Sequence, residues 1–358
     1  MIKMSVVIPV HNRSELFEET LLSLEKQTSK DFEIIVTNDS NNEQDTKKIK
    51  ETILNFKRCD IPIKYLFTEP NLGQSKNTNQ GLKEAKGKYI RILHSDDLLR
   101  KDCIEKEITL FDEHEDIYII SHNMLRFVNK VIFDSVTPKM HILNIKNIWL
   151  DNLIFTQTII PSCLSFRREL YDNTGGLYEK YDYLCDWKLF FDFLIYLYNN
   201  QISTDLINFE EGYVAWRHHD NNLSDKLIFH HFYEHEDIIK YMYNTYTKFN
   251  LLSSDKLFDN IYKAIIYRFS KLKTDINLNK KNRKYLLKYF SICFSRKYTY
   301  IRLLFIILLL PVKLVKKIIE FFNHADIYRD RLTKSVMILL MKIQTRPDQT
   351  RPDQTRPD

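Results

Sequence analysis

Over its first third the chain alternates short β-branched apolar runs with stretches of helical periodicity, the pattern of a parallel α/β sheet. Ser5-Val6-Val7-Ile8-Pro9 is the first such run, stopped by proline. Asn12 stands three residues before Glu15, close to the spacing of a capping box, and Phe17, Leu21 and Leu24 fall on one helical face. Phe32–Val36 predicts a second strand, ending at Asn38-Asp39. A polar helix follows around Asp45–Phe56, then a strand at Ile63–Phe67 and a helix near Ser75–Ala85. The fourth strand, Tyr89–Leu93, ends on His94-Ser95-Asp96-Asp97. Ligands of open α/β sheets bind outside the carboxyl ends of the strands, so Asn12, Asp39 and Asp96 are expected to converge on one crevice.

The rest of the chain is less regular. Ile159–Leu170 suggests a strand and turn, and Asp186–Tyr198 an aromatic, strongly buried helix. Five of the six glycines (Gly73, Gly81, Gly87, Gly175, Gly176) fall in two short neighbourhoods, which marks them as places of unusual backbone angle or close approach. The five cysteines are scattered without CxxC spacing, which argues against a disulfide framework or a zinc site and for a reducing cytoplasm. An apolar strand opens the sequence where a signal peptide would stand, which points the same way.

Three segments are expected: residues 1–224 as the α/β domain, 225–343 as a basic helical region, and 344–358 as a disordered tail of three Gln-Thr-Arg-Pro-Asp repeats. Between Lys263 and Lys317 basic residues are frequent and Asp275 is the only acidic one. Such a stretch is either a solvated helical face or a contact with the anionic inner membrane. Leu303–Val312 is apolar, bordered by Arg302 and Lys313 and interrupted by Pro311. It is too short to span a bilayer, which needs ~20 residues, but suits an in-plane anchor or a buried helix. No recognised motif supports binding of nucleic acid.

Several motifs in order resemble the family 2 glycosyltransferases. Ser5-Val6-Val7-Ile8-Pro9-Val10-His11-Asn12-Arg13 is similar to the family's opening strand. Asn71-Leu72-Gly73 leads to Asn79-Gln80-Gly81, and Gly87-Lys88-Tyr89 precedes the acidic motif. Gly175-Gly176-Leu177 then comes about ten residues before Asp186-Trp187. The resemblance covers residues 4–224. It implies a GT-A fold, a mixed sheet flanked by helices with a helical C-terminal extension. It also implies an inverting enzyme that moves a sugar from a nucleotide-diphosphate donor to a glycan hydroxyl.

The resemblance further implies roles for particular residues. Pro9, His11 and Asn12 would line the donor site, and Asp39 would bond the uracil ring; a strand-end turn residue is the plainer reading of Asp39. His94-Ser95-Asp96-Asp97 resembles the Asp-x-Asp-Asp signature that holds Mn²⁺ or Mg²⁺ against the diphosphate. Asp96 and His94 would then be metal ligands, Ser95 a donor contact, and His94 a departure from the usual aspartate. Asp186 matches the catalytic base, with Cys185 in place of the usual acidic neighbour; helix capping is the structural alternative. Arg217 and His219 would reach the donor phosphates or the metal, unless the segment is a polar surface turn. Asn79 and Lys76 would lie near the nucleotide, Lys76 supplying charge where many relatives carry Arg in place of Thr78. Pro161-Ser162-Cys163 with Arg167-Arg168 resembles the acceptor-side strand.

The acceptor implied is a surface glycan, lipopolysaccharide core or capsule, carried on lipid. Two other classes are weighed against this. A sugar-phosphate nucleotidyltransferase usually carries a glycine-rich loop after the first strand, and Pro9–Arg13 has none. A non-catalytic membrane-associated subunit would not need Asp96 and Asp186.

Overall fold

The computed structural model describes residues 2–58, 60–133, 137–144, 160–181 and 184–219, with single residues of a helix between 234 and 248. The chain divides into two compact units, Met1–Asn260 and Ile261–Asp358, and the described residues lie in the first. Nearly all of the expected basic region, including Leu303–Val312, and the whole repeat tail therefore fall outside the described residues.

Four parallel strands form one half of the sheet in the order β3 (Ile63–Phe67), β2 (Phe32–Asn38), β1 (Met4–Val10), β4 (Tyr89–Ile92). Beyond β4 the sheet turns antiparallel: β8 (Leu164–Arg167) pairs with both β4 and β6 (Ile119–Phe127). The long β9 (Asp205–Arg217) runs parallel to β6 and collects the short β5 (Leu98–Leu99) and β7 (Met140–Asn144) as antiparallel partners. Helices α1 (Ser14–Glu25), α2 (Glu43–Leu54), α3 (Gln74–Glu84), α4 (Cys103–Glu113), α5 (Arg168–Thr174) and α6 (Cys185–Asn199) complete the described elements. The mixed α/β architecture expected from the sequence is the one observed.

β2 is buried along its whole length, as parallel strands covered on both faces are. Phe17, Leu21 and Leu24 of α1 join Val6, Ile8, Ile34 and Val36 in the core, so the helical face read from spacing is the one that packs. β1 continues through Pro9 to Val10, where the sequence suggested a stop. Its register with β4 ends at Val7↔Ile92, so around Pro9 the paired neighbour is β2. A ring that lacks an N–H is tolerated where one side of the ladder is open.

The other boundary differences are local. Asn12 does not cap α1: it has φ 56°, the helix starts at Ser14, and Arg13 occupies the cap position with no side-chain cap bond. α2 begins at Glu43, because Asn42 caps it by accepting from the backbone N–H of Gln44 and Asp45. Gly73 and Gly175 have φ of 81° and 83°, whereas Gly81, Gly87 and Gly176 are sites of close packing against protein.

Gly87 is the tightest against backbone: a β-carbon there would stand 2.6 Å from the carbonyl carbon of Met4 and the nitrogen of Ser5. Those atoms belong to the central strand and cannot give way. Gly87→Ala is expected to cost about 1–3 kcal/mol, read as a lowered thermal midpoint; an unchanged midpoint would mean that β1 and the turn into β4 are not packed this closely.

Candidate functional site

β1, β2 and β4 are parallel neighbours, so the segments that follow them leave the same edge of the sheet. His11, Asn12 and Arg13 follow β1, Asp39 follows β2, and His94–Asp97 follow β4. The convergence expected from strand ends is present as direct contacts: His11 Nδ1 lies 3.2 Å from Asp39 Oδ1, and Arg13 Nη1 donates to Asp96 Oδ2 at 2.9 Å.

Asp39 is 1% exposed and fully engaged. Its Oδ2 accepts from the backbone N–H of Leu72 and Gly73 at 3.0 and 3.1 Å, and its Oδ1 from Asn77 Nδ2 at 3.2 Å. His11 also donates to the backbone oxygen of Asp39, and its bond to the carboxylate raises its pKa. Asn12 is held by its N–H on Ser40 Oγ (2.6 Å) and its amide on Asn41 Oδ1, while its Oδ1 is buried without a hydrogen-bond partner among the described residues. Pro9 is half-buried in β1, and Lys76 is exposed on the first turn of α3.

The Nδ2 of Asn79 donates to the carbonyl of Leu177 at 2.9 Å and to Glu179 Oε1 at 3.0 Å, and its Oδ1 accepts from the N–H of Leu177 at 2.8 Å, so it clasps the segment that follows Gly175. Gly176 is required beside it, since a β-carbon there would overlap Asn79 Oδ1.

At the end of β4, ligand-type atoms of His94, Asp96 and Asp97 lie within 4.8 Å of one another. Asp96 Oδ2 takes both Arg13 and His219 Nε2, the latter at 3.1 Å. Asp97 Oδ1 accepts the N–H of Arg217 at 3.0 Å, while its Oδ2 is buried with no hydrogen-bond partner among the described residues. Burial, reinforced by the neighbouring Asp96, pushes the Asp97 carboxyl well up, and burial pulls the His94 imidazole down. An orphaned acceptor beside a second carboxylate and an imidazole suits a divalent cation. Ser95 is buried in the same turn, and Ser162 braces it by accepting the N–H of His94 at 3.0 Å.

Arg217 is brought to this cluster and engages protein groups there. Its Nε donates to the backbone oxygen of Asp96 at 3.0 Å, its Nη2 to Glu19 at 2.6 Å, and its plane stands 4.5 Å from the centre of the Phe127 ring. It ties β9 to the acidic turn. Arg167 likewise serves the fold: it donates to the carbonyls of Phe111, His114 and Ile117 around the end of α4.

Asp186 occupies the first turn of α6, 5% exposed, its Oδ1 accepting the N–H of Trp187 at 2.9 Å. Burial raises its pKa to about 7, against the bonds from the helix start that lower it; nearby Glu234 adds to the rise. Glu234 also accepts the N–H of Leu184 at 2.7 Å, where α6 begins. Ser75 of α3 donates to the carbonyl of Tyr181 at 2.8 Å, so α3 carries both the Asp39 loop and the approach to Asp186.

Two residues escaped the sequence reading. Arg13 was quoted only as the end of a motif, although a cation four residues past an apolar strand was a signal to weigh. Arg91, inside the wholly buried β4, is ion-paired to Glu107 and donates to the carbonyl of Ser162 at 2.6 Å. Glu107 also lies 2.6 Å from His122 Nε2. Cys103, Glu107 and His122 form a second metal-like grouping, but the guanidinium of Arg91 already compensates the carboxylate, and burial keeps the Cys103 thiol protonated.

The mixed sheet and its helices place the chain in the GT-A class of folds. The crystal structure of S. aureus TarS residues 1–349 in complex with UDP-GlcNAc superposes with a TM-score of 0.57, 19% identity, and coverage of 79% of this chain and 78% of that one. The model of glycosyl transferase family 2 matches residues 5–175, so this segment is similar to that family. An uncharacterized glycosyltransferase of Rickettsia conorii is 39% identical over 128 residues, which cover 36% of this chain and 20% of the relative. A GalNAc(5)-diNAcBac-PP-undecaprenol beta-1,3-glucosyltransferase of Campylobacter jejuni is 38% identical over 100 residues, 28% of this chain and 31% of its own length. The chain thus aligns with less than a third of either relative.

A carboxyl with a pKa of about 7 acts as a base in its ionised form, which predominates above that pH. If Asp186 is the base, turnover is expected to fall about tenfold per pH unit below pH 7 and to level off above it. The sign for stability is the reverse: the folded chain holds a proton between the ordinary value of 3.8 and about 7 that the unfolded chain releases. That contribution is complete below 3.8 and is lost as pH rises through 7. A pH–rate profile flat from pH 5 to 8 would remove Asp186 from the role of base.

Proposed function

We propose that this chain is an inverting, metal-dependent glycosyltransferase with a UDP-sugar donor. Its acceptor is a hydroxyl of a bacterial surface glycan, lipopolysaccharide, lipooligosaccharide or capsule, on a lipid carrier at the inner face of the inner membrane. The observation that carries this reading is the gathering of Asp96, Asp97 and His94 on the sheet edge that also holds His11 and Asp39. The complex of TarS with UDP-GlcNAc supports the donor class, and the name of the Campylobacter relative supports a lipid-linked glycan acceptor. The basic composition between Lys263 and Lys317 favours peripheral contact with anionic lipid. Among the described residues no helix is long and apolar enough to cross a membrane.

His94, Asp96 and Asp97 would hold Mn²⁺ or Mg²⁺. The ion, when bound, neutralises charge growing on the diphosphate leaving group. Asp186 removes the proton of the acceptor hydroxyl as its oxygen bonds to the anomeric carbon from the face opposite the diphosphate, whose C–O bond breaks. Burial of Asp186 suits this, because a base with a pKa near the working pH is both ionised and proton-hungry. His219 and Arg13 hold the Asp96 carboxylate in place, and His11 presents a half-exposed imidazole beside Asp39 where the nucleotide would lie.

Slow hydrolysis of a panel of UDP- and dTDP-sugars, with and without Mn²⁺, tests the reading. Wild type is expected to release one nucleotide in a metal-dependent way, Asp96→Ala to release none, and Asp186→Ala to lose about 10²–10⁴-fold in transfer. No release, together with no nucleotide that raises the melting temperature, would overturn the transferase reading.

A further inference from the structure

Asn12 and Arg13 are consecutive non-glycine residues with φ of 56° and 58°. The left-handed region suits Asn but is unfavourable for a long side chain. Such a conformation persists only where the surroundings over-determine it, and here they do. The N–H of Asn12 donates to Ser40 Oγ at 2.6 Å, its amide to Asn41 Oδ1 at 3.0 Å, and the N–H of Ser14 to Asp45 Oδ1 at 2.9 Å. At the helix cap, where a short oxygen-bearing side chain would satisfy α1, the chain instead carries an arginine that makes no cap bond. That side chain reaches the acidic turn, with Nη1 2.9 Å from Asp96 Oδ2.

The electrostatics around that contact give it a purpose. Asp96 and Asp97 are adjacent, buried carboxylates, and Asp97 Oδ2, 4.0 Å from His94 Nδ1, has no hydrogen-bond partner among the described residues. Of the basic groups near them, Arg217 addresses the backbone of Asp96, Glu19 and the Phe127 ring, while the imidazole of His219 lies 3.1 Å from Asp96 Oδ2. Among the described residues, Arg13 is the permanent charge set directly on the Asp96 carboxylate.

From these contacts we infer that Arg13 is a resident counter-ion of Asp96, a positioning residue that holds the acidic turn before a divalent cation arrives and competes with that cation for Oδ2. It rests on the reading of the His94–Asp97 turn as a cation site. A site that carries its own positive charge binds a free divalent cation weakly. It binds the same cation well when a diphosphate arrives with it, because the added negative charge compensates the guanidinium. The turn thus selects the nucleotide-bound cation over the free one.

Titration calorimetry of Mn²⁺ on wild type, Arg13→Gln and Arg13→Lys, with and without UDP, tests this. Without UDP, Arg13→Gln is expected to bind Mn²⁺ at least about tenfold more tightly than wild type. Arg13→Lys, which keeps the charge, stays close to wild type. With UDP the gap between wild type and Arg13→Gln narrows. Metal-free Arg13→Gln also melts below wild type, and Mn²⁺ closes that difference. Equal Mn²⁺ affinity in wild type and Arg13→Gln, or an equal gain in Arg13→Lys, would overturn the inference. Failure of every form to bind Mn²⁺ even with UDP would take down the cation site itself, and this inference with it. If Arg13→Gln proves too unstable to titrate, Arg13→Asn removes the charge with a residue better suited to the left-handed region.

Discussion

The buried carboxylate of Asp39 is the joint on which the described site hangs. It sits at the end of β2 and takes the backbone N–H groups of Leu72 and Gly73, so the loop before α3 is drawn onto the sheet edge. The amide of Asn77 reaches the same carboxylate and the carbonyls of Val10 and Thr37, which seats α3 against β1 and β2. α3 in turn clasps Leu177 through Asn79 and holds Tyr181 through Ser75, on the segment leading to Asp186. A carboxyl group this deeply buried is tolerated only when its oxygens are met by donors. Here two backbone donors, an amide and an imidazole meet them. A nucleobase that bonds Asp39 must therefore displace a donor or share an oxygen, and half-exposed His11 is the partner best able to move.

The acidic turn after β4 is governed by charge compensation on two sides. Arg13 and His219 approach Asp96 from the crevice, and Arg217 fixes its backbone. Behind the turn, Arg91 and Glu107 form a fully buried ion pair with His122 hydrogen-bonded to Glu107, joined to the turn by the bond from Arg91 to the carbonyl of Ser162. Replacing one partner of such a group leaves a buried charge uncompensated, a far larger penalty than the pair's net contribution. The positions of His94 and Asp97 thus depend on residues that no ligand would touch.

Much of the site was legible because strand ends are legible. β-branched runs bounded by polar residues fixed where His11, Asp39 and Asp96 leave the sheet, and parallel order brings those ends together. What the sequence hides is the direction in which a side chain is used. Asn79 sits in a glycine-flanked motif, yet its amide faces Leu177, 98 positions away. Arg217 lies in a late basic segment, yet its guanidinium is committed to Asp96, Glu19 and Phe127. Spacing cannot register contacts this remote. The capping-box spacing at Asn12 failed for a related reason: the hydrogen bonds that Asn12 donates to the Ser40-Asn41 turn hold it outside the helix. Arg91 carried the clearest missed signal, a charged residue inside an apolar strand, but its partner Glu107, itself joined to His122, is visible only once the sheet is assembled.

The most direct test of the site is a crystal structure of the full chain with UDP and Mn²⁺. Manganese coordinated by Asp96, with the nucleotide lying across the carboxyl ends of β1 and β2 beside His11 and Asp39, is the expected result. Nucleotide bound elsewhere on the sheet, or manganese held by Cys103, Glu107 and His122 instead, would contradict it.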